Sequence, residues 1–158
     1  MEDSNKYVVK NANHGDLQAI SSLLESCNLP ADGIEACINT TLIVKNNNKL
    51  IGSAALEHYG KSALLRSVAV DKNFRSTGLG IKTTKAILQK AKSLGITHIY
   101  LLTETADKFF PRFNFQTVPR DKVPADVKTS LEFTTLCPES AIAMVLPLKG
   151  TDTGTKLT

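Results

Sequence analysis

The sequence predicts an α/β (α+β) fold, a mixed and largely antiparallel twisted sheet flanked by helices on both faces. Three observations carry that prediction. Apolar, β-branched runs joined by short turns between Thr41 and Val70 read as consecutive hairpin strands. A helical repeat from Gly78 to Leu94 then crosses between two strand-like runs close in sequence, which implies that those two strands are parallel. Finally, 158 residues with 42% hydrophobic and 22% charged side chains suit one globular core and argue against disorder, rods or a second core.

Each element has its own reason. Tyr7-Val8-Val9 is a short β-type run, and Asp16 is placed to cap a helix carrying Leu17, Ile20, Leu23 and Leu24 at helical spacing. Residues 28–33 break that helix, and the stretch on to Thr40 reads as a loop or short helix suited to bordering a substrate cleft. Residues 41–45 and 50–59 flank Asn46-Asn47-Asn48, a turn tolerant of left-handed backbone, and Gly60-Lys61-Ser62 turns the chain into a central strand at 64–70. Leu79, Ala86, Ile87, Ala91 and Leu94 share one helix face opposite Lys82, Lys85, Lys90 and Lys92, and Gly95 stands where a C-cap glycine belongs. Residues 97–103 form the next strand. Further on, 106–112 is expected to be a short helix, 115–118 a strand, 125–136 a helix and 141–146 the last strand. One domain is expected over 1–148, with 149–158 a polar, disordered tail.

Nineteen basic against fifteen acidic residues give a net charge of +4, which suits an anionic ligand. Nucleic acid is disfavoured, because basic runs and Trp are missing and the aromatics are not interleaved with arginines. No apolar stretch approaches the roughly 20 residues of a membrane span, and the opening Met1-Glu2-Asp3-Ser4-Asn5-Lys6 is polar, so a cytoplasmic protein without a membrane partner is expected. Cys27, Cys37 and Cys137 are odd in number and far apart, and with the scattered His14, His58 and His98 they show no zinc spacing. Reduced thiols and no metal are expected, Cys137 being a buried small thiol.

The most informative segment is Arg75-Ser76-Thr77-Gly78-Leu79-Gly80, between a strand and an amphipathic helix. Glycines there let backbone N–H groups and the positive helix end close around phosphate oxygens, and Arg75 adds a charge. A glycine-rich turn that merely starts a helix is the alternative.

That context resembles the GNAT superfamily of acyl-CoA-dependent N-acetyltransferases, whose motif reads Arg/Gln-x-x-Gly-x-Gly/Ala after its fourth strand. Arg75, Gly78 and Gly80 match it, and Phe109-Phe110-Pro111-Arg112-Phe113-Asn114-Phe115 falls where the family has its aromatic-rich element. The resemblance implies acetyl-CoA as co-substrate. Backbone groups of Val68, Ala69 and Val70 would bind its pantetheine, the amides of Arg75, Ser76, Thr77, Gly78, Leu79 and Gly80 its pyrophosphate, and Phe109 would pack near the cofactor chain. Phe110 stands where the family often has a tyrosine acid, and Asn114 where it has glycine. A thiol of ordinary pKa near 8.5 leaves tolerably without an acid, and Asn accepts left-handed backbone. Residues 118–124 and 133–141 resemble the tail of a small acetyltransferase subgroup found with arsenic-resistance genes. More distantly, the chain is similar to amino-acid N-acetyltransferases.

The implied reaction is direct transfer of an acetyl group to a small-molecule amine, an amino acid or an analogue, in a ternary complex. A strand N–H polarises the thioester carbonyl, and a carboxylate or water takes the amine proton. Glu57, Ser67 and Glu104 are the catalytic candidates. Arg66, a charge inside an apolar strand, needs either a structural acid or a substrate carboxylate as partner, and Arg112 is a second candidate carboxylate contact. Two rivals stay open: a CoA-binding regulatory module without turnover, favoured by Phe110, and a protein or peptide amine acetyltransferase. A homodimer is compatible with all of these readings.

Overall fold

The computed structural model describes residues 7–136 and 139–148. Its strands are β1 (Val9–Asn11), β2 (Thr41–Asn46), β3 (Lys49–Tyr59), β4 (Ser62–Val70), β5 (His98–Thr103), β6 (Gln116–Thr117) and β7 (Ile142–Pro147), and its helices are α1 (Leu17–Ser26) and α2 (Leu79–Ser93). The strands hydrogen-bond in the order β1-β2-β3-β4-β5-β7-β6. β1 with β2, β2 with β3, β5 with β7 and β6 with β7 are antiparallel, whereas β4 and β5 run parallel with Ser62 opposite His98 and Leu64 opposite Tyr100. The mixed, largely antiparallel sheet is therefore present, and the parallel pair is the one that the helix between β4 and β5 required.

The chain divides into two compact units. The first, within residues 7–57 and 66–90, packs Ile20, Leu23 and Leu24 of α1 against Ile34, Ile38, Ile43 and Ala55. A smaller cluster in the same unit joins Tyr7, Val44, Ile51 and Leu79. The second unit, within residues 58–65 and 91–148, gathers Leu64, Tyr100, Val123, Val127 and Ala143. Burying aliphatic side chains at about 1.5–3 kcal/mol each holds each unit together.

Three local expectations are corrected. Tyr7 and Val8 precede β1, because its register with β2 begins at Val9 opposite Val44. In place of a helix over 106–112 there is a 3-10 turn at Phe110–Phe113, with Pro111 in its first turn and Asn114 ending it at φ +77°. The span 125–136 is also broken, into a 3-10 turn at Val127–Thr129 and a π turn at Glu132–Leu136. Ser130 causes that break: its backbone leaves the helical region at ψ 144°, and its Oγ accepts the Glu132 amide at 3.1 Å. Cys137 and the tail 149–158 lie outside the described residues. Among the described residues no helix is long and apolar enough to cross a membrane.

Asp16 precedes α1 without giving it a side-chain cap; instead Asn13 caps the 3-10 turn at His14–Asp16 by accepting the Gly15 amide at 2.8 Å, and Asp16 completes the capping box by accepting the Asn13 amide at 2.9 Å and pairs with Lys45 at 3.0 Å. Burial raises its pKa, but the amide and the ammonium outweigh that, and the carboxyl is lowered overall. The folded pKa lies below the unfolded one, so this contribution is complete above the ordinary range near pH 4 and is lost as pH falls through the lowered folded value. Melting temperature should therefore drop on acidification below about pH 4, and Asp16→Asn should flatten that limb. An unchanged acid limb in the variant would assign the acid sensitivity elsewhere.

Candidate functional site

The candidate site lies in the first unit, and its centre is a left-handed residue within β4. Ser67 sits at φ +61°, a left-handed conformation that costs a non-glycine residue about 1–2 kcal/mol. Two buried bonds hold it there. Ser53 Oγ donates to the Ser67 carbonyl at 2.7 Å, and Arg66 Nε donates to Ser67 Oγ at 3.1 Å.

Arg66 is enclosed, its side chain 0% exposed. Nη1 donates to Glu57 Oε2 at 2.8 Å, and Nη2 to the carbonyls of Pro30 at 3.2 Å and Asp32 at 2.8 Å. Of the two partners expected for this arginine, a structural acid and a substrate carboxylate, the structure supplies the acid, Glu57. The guanidinium thereby ties the end of β3, Ser67 of β4 and the loop after α1 into one network. Glu57 keeps partial exposure, 13% for its side chain, and so remains reachable from solvent. Cys37 packs into the same region, where burial pushes its thiol up to about 11 even though the Arg66 charge opposes the shift. Such a thiol stays protonated and is a poor nucleophile.

Beyond Ser67 the strand runs through Val68, Ala69 and Val70, of which only Ala69 is buried. The Asp71 amide returns to the Ile51 carbonyl of β3 at 2.8 Å, so strand alternation puts the Val70 N–H and C=O on the edge away from β3. There Arg75 Nε reaches the Val70 carbonyl at 3.1 Å, and Arg75 Nη2 lies 3.4 Å from Cys27 Sγ. Asp71 closes the start of the loop by accepting the Asn73 amide at 2.9 Å and pairing with Lys49 at 3.2 Å.

The loop then turns through two left-handed residues, Ser76 at φ +68° and Gly78 at φ +86°. Thr77 fastens it between them, its Oγ1 donating to the Phe74 carbonyl at 2.6 Å and accepting the Leu79 amide at 3.3 Å. The first backbone return of α2 comes from the Lys82 amide to the Gly78 carbonyl at 3.0 Å, so the Gly80 and Ile81 amides precede any intrahelical partner. Those amides, the positive end of a 15-residue helix and the exposed Arg75 guanidinium make a seat for an anion.

Glu104, Phe109, Phe110 and Arg112 belong to the second unit. Glu104 is exposed just past the end of β5. Phe109 meets Phe110 at 5.1 Å and Phe113 at 5.4 Å between ring centroids, and Phe110 meets Phe115 at 5.6 Å. The exposed Arg112 stacks its guanidinium 4.9 Å over the Phe109 ring and donates to the Phe109 carbonyl at 3.1 Å. Thus Glu57, Arg66, Ser67 and Arg75 are linked through β4 by hydrogen bonds, whereas Phe109, Phe110 and Arg112 form an aromatic group within the second unit. Sequence reasoning missed Ser53, the Pro30 and Asp32 carbonyls, and the Thr77 hydroxyl, having named Thr77 for its amide alone. Only Ser53 left a signal, as a hydroxyl inside the apolar run 50–56, which folding must supply with a partner.

A strand that carries left-handed Ser67 and feeds a glycine-bearing loop and the N-terminus of a 15-residue helix sets the frame of this α/β domain. Residues 16–115 match the model of the Acetyltransferase (GNAT) family, and the chain belongs to that family. It is 25% identical over 127 residues to an amino-acid acetyltransferase of Neisseria meningitidis, a match covering 73% of this chain and 29% of that one. The structure of N-acetylglutamate synthase from Neisseria gonorrhoeae, complexed with coenzyme A and N-acetyl-glutamate, superposes with a TM-score of 0.76 at 22% identity. That match covers 90% of this chain and 35% of the other. A Mycobacterium tuberculosis protein solved in complex with CoA gives a TM-score of 0.74 at 23% identity, covering 89% of this chain and 99% of its own. At these identities the solved structures establish the fold. The chain spans 29% of the length of the Neisseria meningitidis relative.

Proposed function

We propose that this chain is an acetyl-CoA-dependent N-acetyltransferase acting on the amine of a small molecule, an amino acid or amino-acid analogue, by direct transfer in a ternary complex. The observation that carries the reading is the loop after β4, where left-handed Ser76 and Gly78 open the backbone ahead of α2 beside Arg75. This donor set fits a pyrophosphate: backbone amides, a helix N-terminus and one guanidinium. The amino-acid class is supported by the amino-acid acetyltransferase relatives.

When bound, acetyl-CoA supplies an activated thioester. In this reading the chain orients it with the edge of β4, the Val68 N–H polarising the carbonyl and Val70 aligning the pantetheine arm. Glu57 accepts the proton of the attacking amine, and Arg66 holds that carboxylate in place while it does so. Phe110 has no proton to give, so the thiolate departs unassisted, which its modest basicity permits. Glu104, Phe109 and Arg112 enter through the family pattern alone.

Mass-spectrometric detection of acetylated product and free CoA, using acetyl-CoA with a panel of amino acids, amino-acid analogues, polyamines and peptides, tests this reading. Product from an amino acid or analogue is expected. Glu57→Gln should slow that reaction at neutral pH and recover at high pH, where the amine is already deprotonated. Product from peptides alone would replace the substrate class, and tight acetyl-CoA binding without any product would favour a regulatory module.

A further inference from the structure

Ser53 lies in β3 between Gly52 and Ala54, 0% exposed, and its hydroxyl is spent on the carbonyl of Ser67 at 2.7 Å. We infer that Ser53 is a positioning residue for acetyl transfer, which aims the Val68 N–H by holding the peptide that carries it. The inference rests on the proposed function, in which that N–H polarises the thioester carbonyl.

One rigid peptide plane links the Ser53 hydroxyl to the Val68 N–H. The Ser67 carbonyl and the Val68 N–H belong to the same peptide group, which is trans, and a trans peptide sends its C=O and N–H in opposite directions. A donor fixed on the Ser67 oxygen from the β3 side therefore sends the Val68 N–H to the edge away from β3. Nothing local would keep it there, because Ser67 at φ +61° is in a region that L-residues leave unless their surroundings hold them. Ser53 fixes the carbonyl end of Ser67, and Arg66 Nε fixes its hydroxyl. Arg66 is engaged with Glu57 and two loop carbonyls as well, whereas the bond from Ser53 acts directly on the oxygen of the peptide plane.

The test uses the full chain with acetyl-CoA labelled with ¹³C at the thioester carbonyl. The carbonyl stretch of the bound ligand is read by difference infrared spectroscopy, with affinity and melting temperature measured beside it. In the unsubstituted protein the stretch should fall below its value in water, reporting a polarising donor. Ser53→Ala should lose most of that lowering, with acetyl-CoA affinity changed less than about threefold and turnover of the best acceptor down about tenfold, the scale expected for a misaimed group. Ser53→Cys, similar in size and a weaker donor, should fall between the two. It carries the comparison alone if Ser53→Ala does not fold. A merely structural serine would lower the melting temperature and leave the carbonyl stretch where it was, and that result overturns the inference while leaving the proposed function intact. Failure of the unsubstituted protein to bind acetyl-CoA overturns both.

Discussion

Arg66→Ala is expected to cost about 3–5 kcal/mol of stability, the scale for removing one partner of a buried ion pair and leaving the other charge uncompensated. The loss is large because one side chain serves four acceptors: Glu57, Ser67 and the carbonyls of Pro30 and Asp32. For a chain of this size, each kcal/mol moves the melting temperature by about 2–4 °C, so a drop of roughly 10 °C should appear in a thermal melt. Arg66→Lys should recover little, since an ammonium lacks the planar fork that reaches a strand, a carboxylate and a loop at once. Glu57→Gln keeps an acceptor for Nη1 but leaves the enclosed guanidinium without its counter-charge, so it should cost about 3 kcal/mol, the low end of the same range. An Arg66→Ala protein melting within about 2 °C of the parent would show that the network is ornamental to the fold.

Gly78→Val should weaken acetyl-CoA binding about 100-fold and lower the melting temperature by only a few degrees, the scale of about 1–2 kcal/mol for one L-residue in left-handed backbone. Gly78 holds φ +86°, where a β-branched residue is a genuine outlier, so the loop must rearrange ahead of α2. Losing two charge-assisted hydrogen bonds of about 1.5 kcal/mol each gives the stated loss of affinity. Ser76→Gly is the control: Ser76 already sits at φ +68°, and glycine adopts that value without strain. Isothermal titration with acetyl-CoA decides the matter. An affinity for the valine variant within about threefold of the parent would remove the loop from the binding role.

The elements that sequence reasoning placed well are long and clearly bounded. The eleven residues of β3 carry the apolar run 50–56 and lie between turn residues, and the fifteen of α2 carry enough repeats for the helical period to show. The region after β5 is different. Its turns at Phe110–Phe113, Val127–Thr129 and Glu132–Leu136 are single turns, the first ended by Asn114 and the second by Ser130. A helical pattern over 125–136 was present, but a serine that bonds its own neighbours outweighed it. The loop after β4 was legible because Gly78 and Gly80 announce backbone freedom next to a strand.

By itself, then, the sequence determined the sheet, the crossover helix and the position of the glycine-bearing loop, because these follow from local periodicity and backbone freedom. Only the tertiary structure decided what the charged and hydroxyl groups of that region do. Arg66 finds its acid nine residues away and its carbonyls more than thirty residues away, and Ser53 finds Ser67 fourteen residues along the chain. A buried polar group announces that it needs a partner, but the partner is chosen by which strands and loops the fold brings within hydrogen-bonding distance, and spacing along the chain does not encode that.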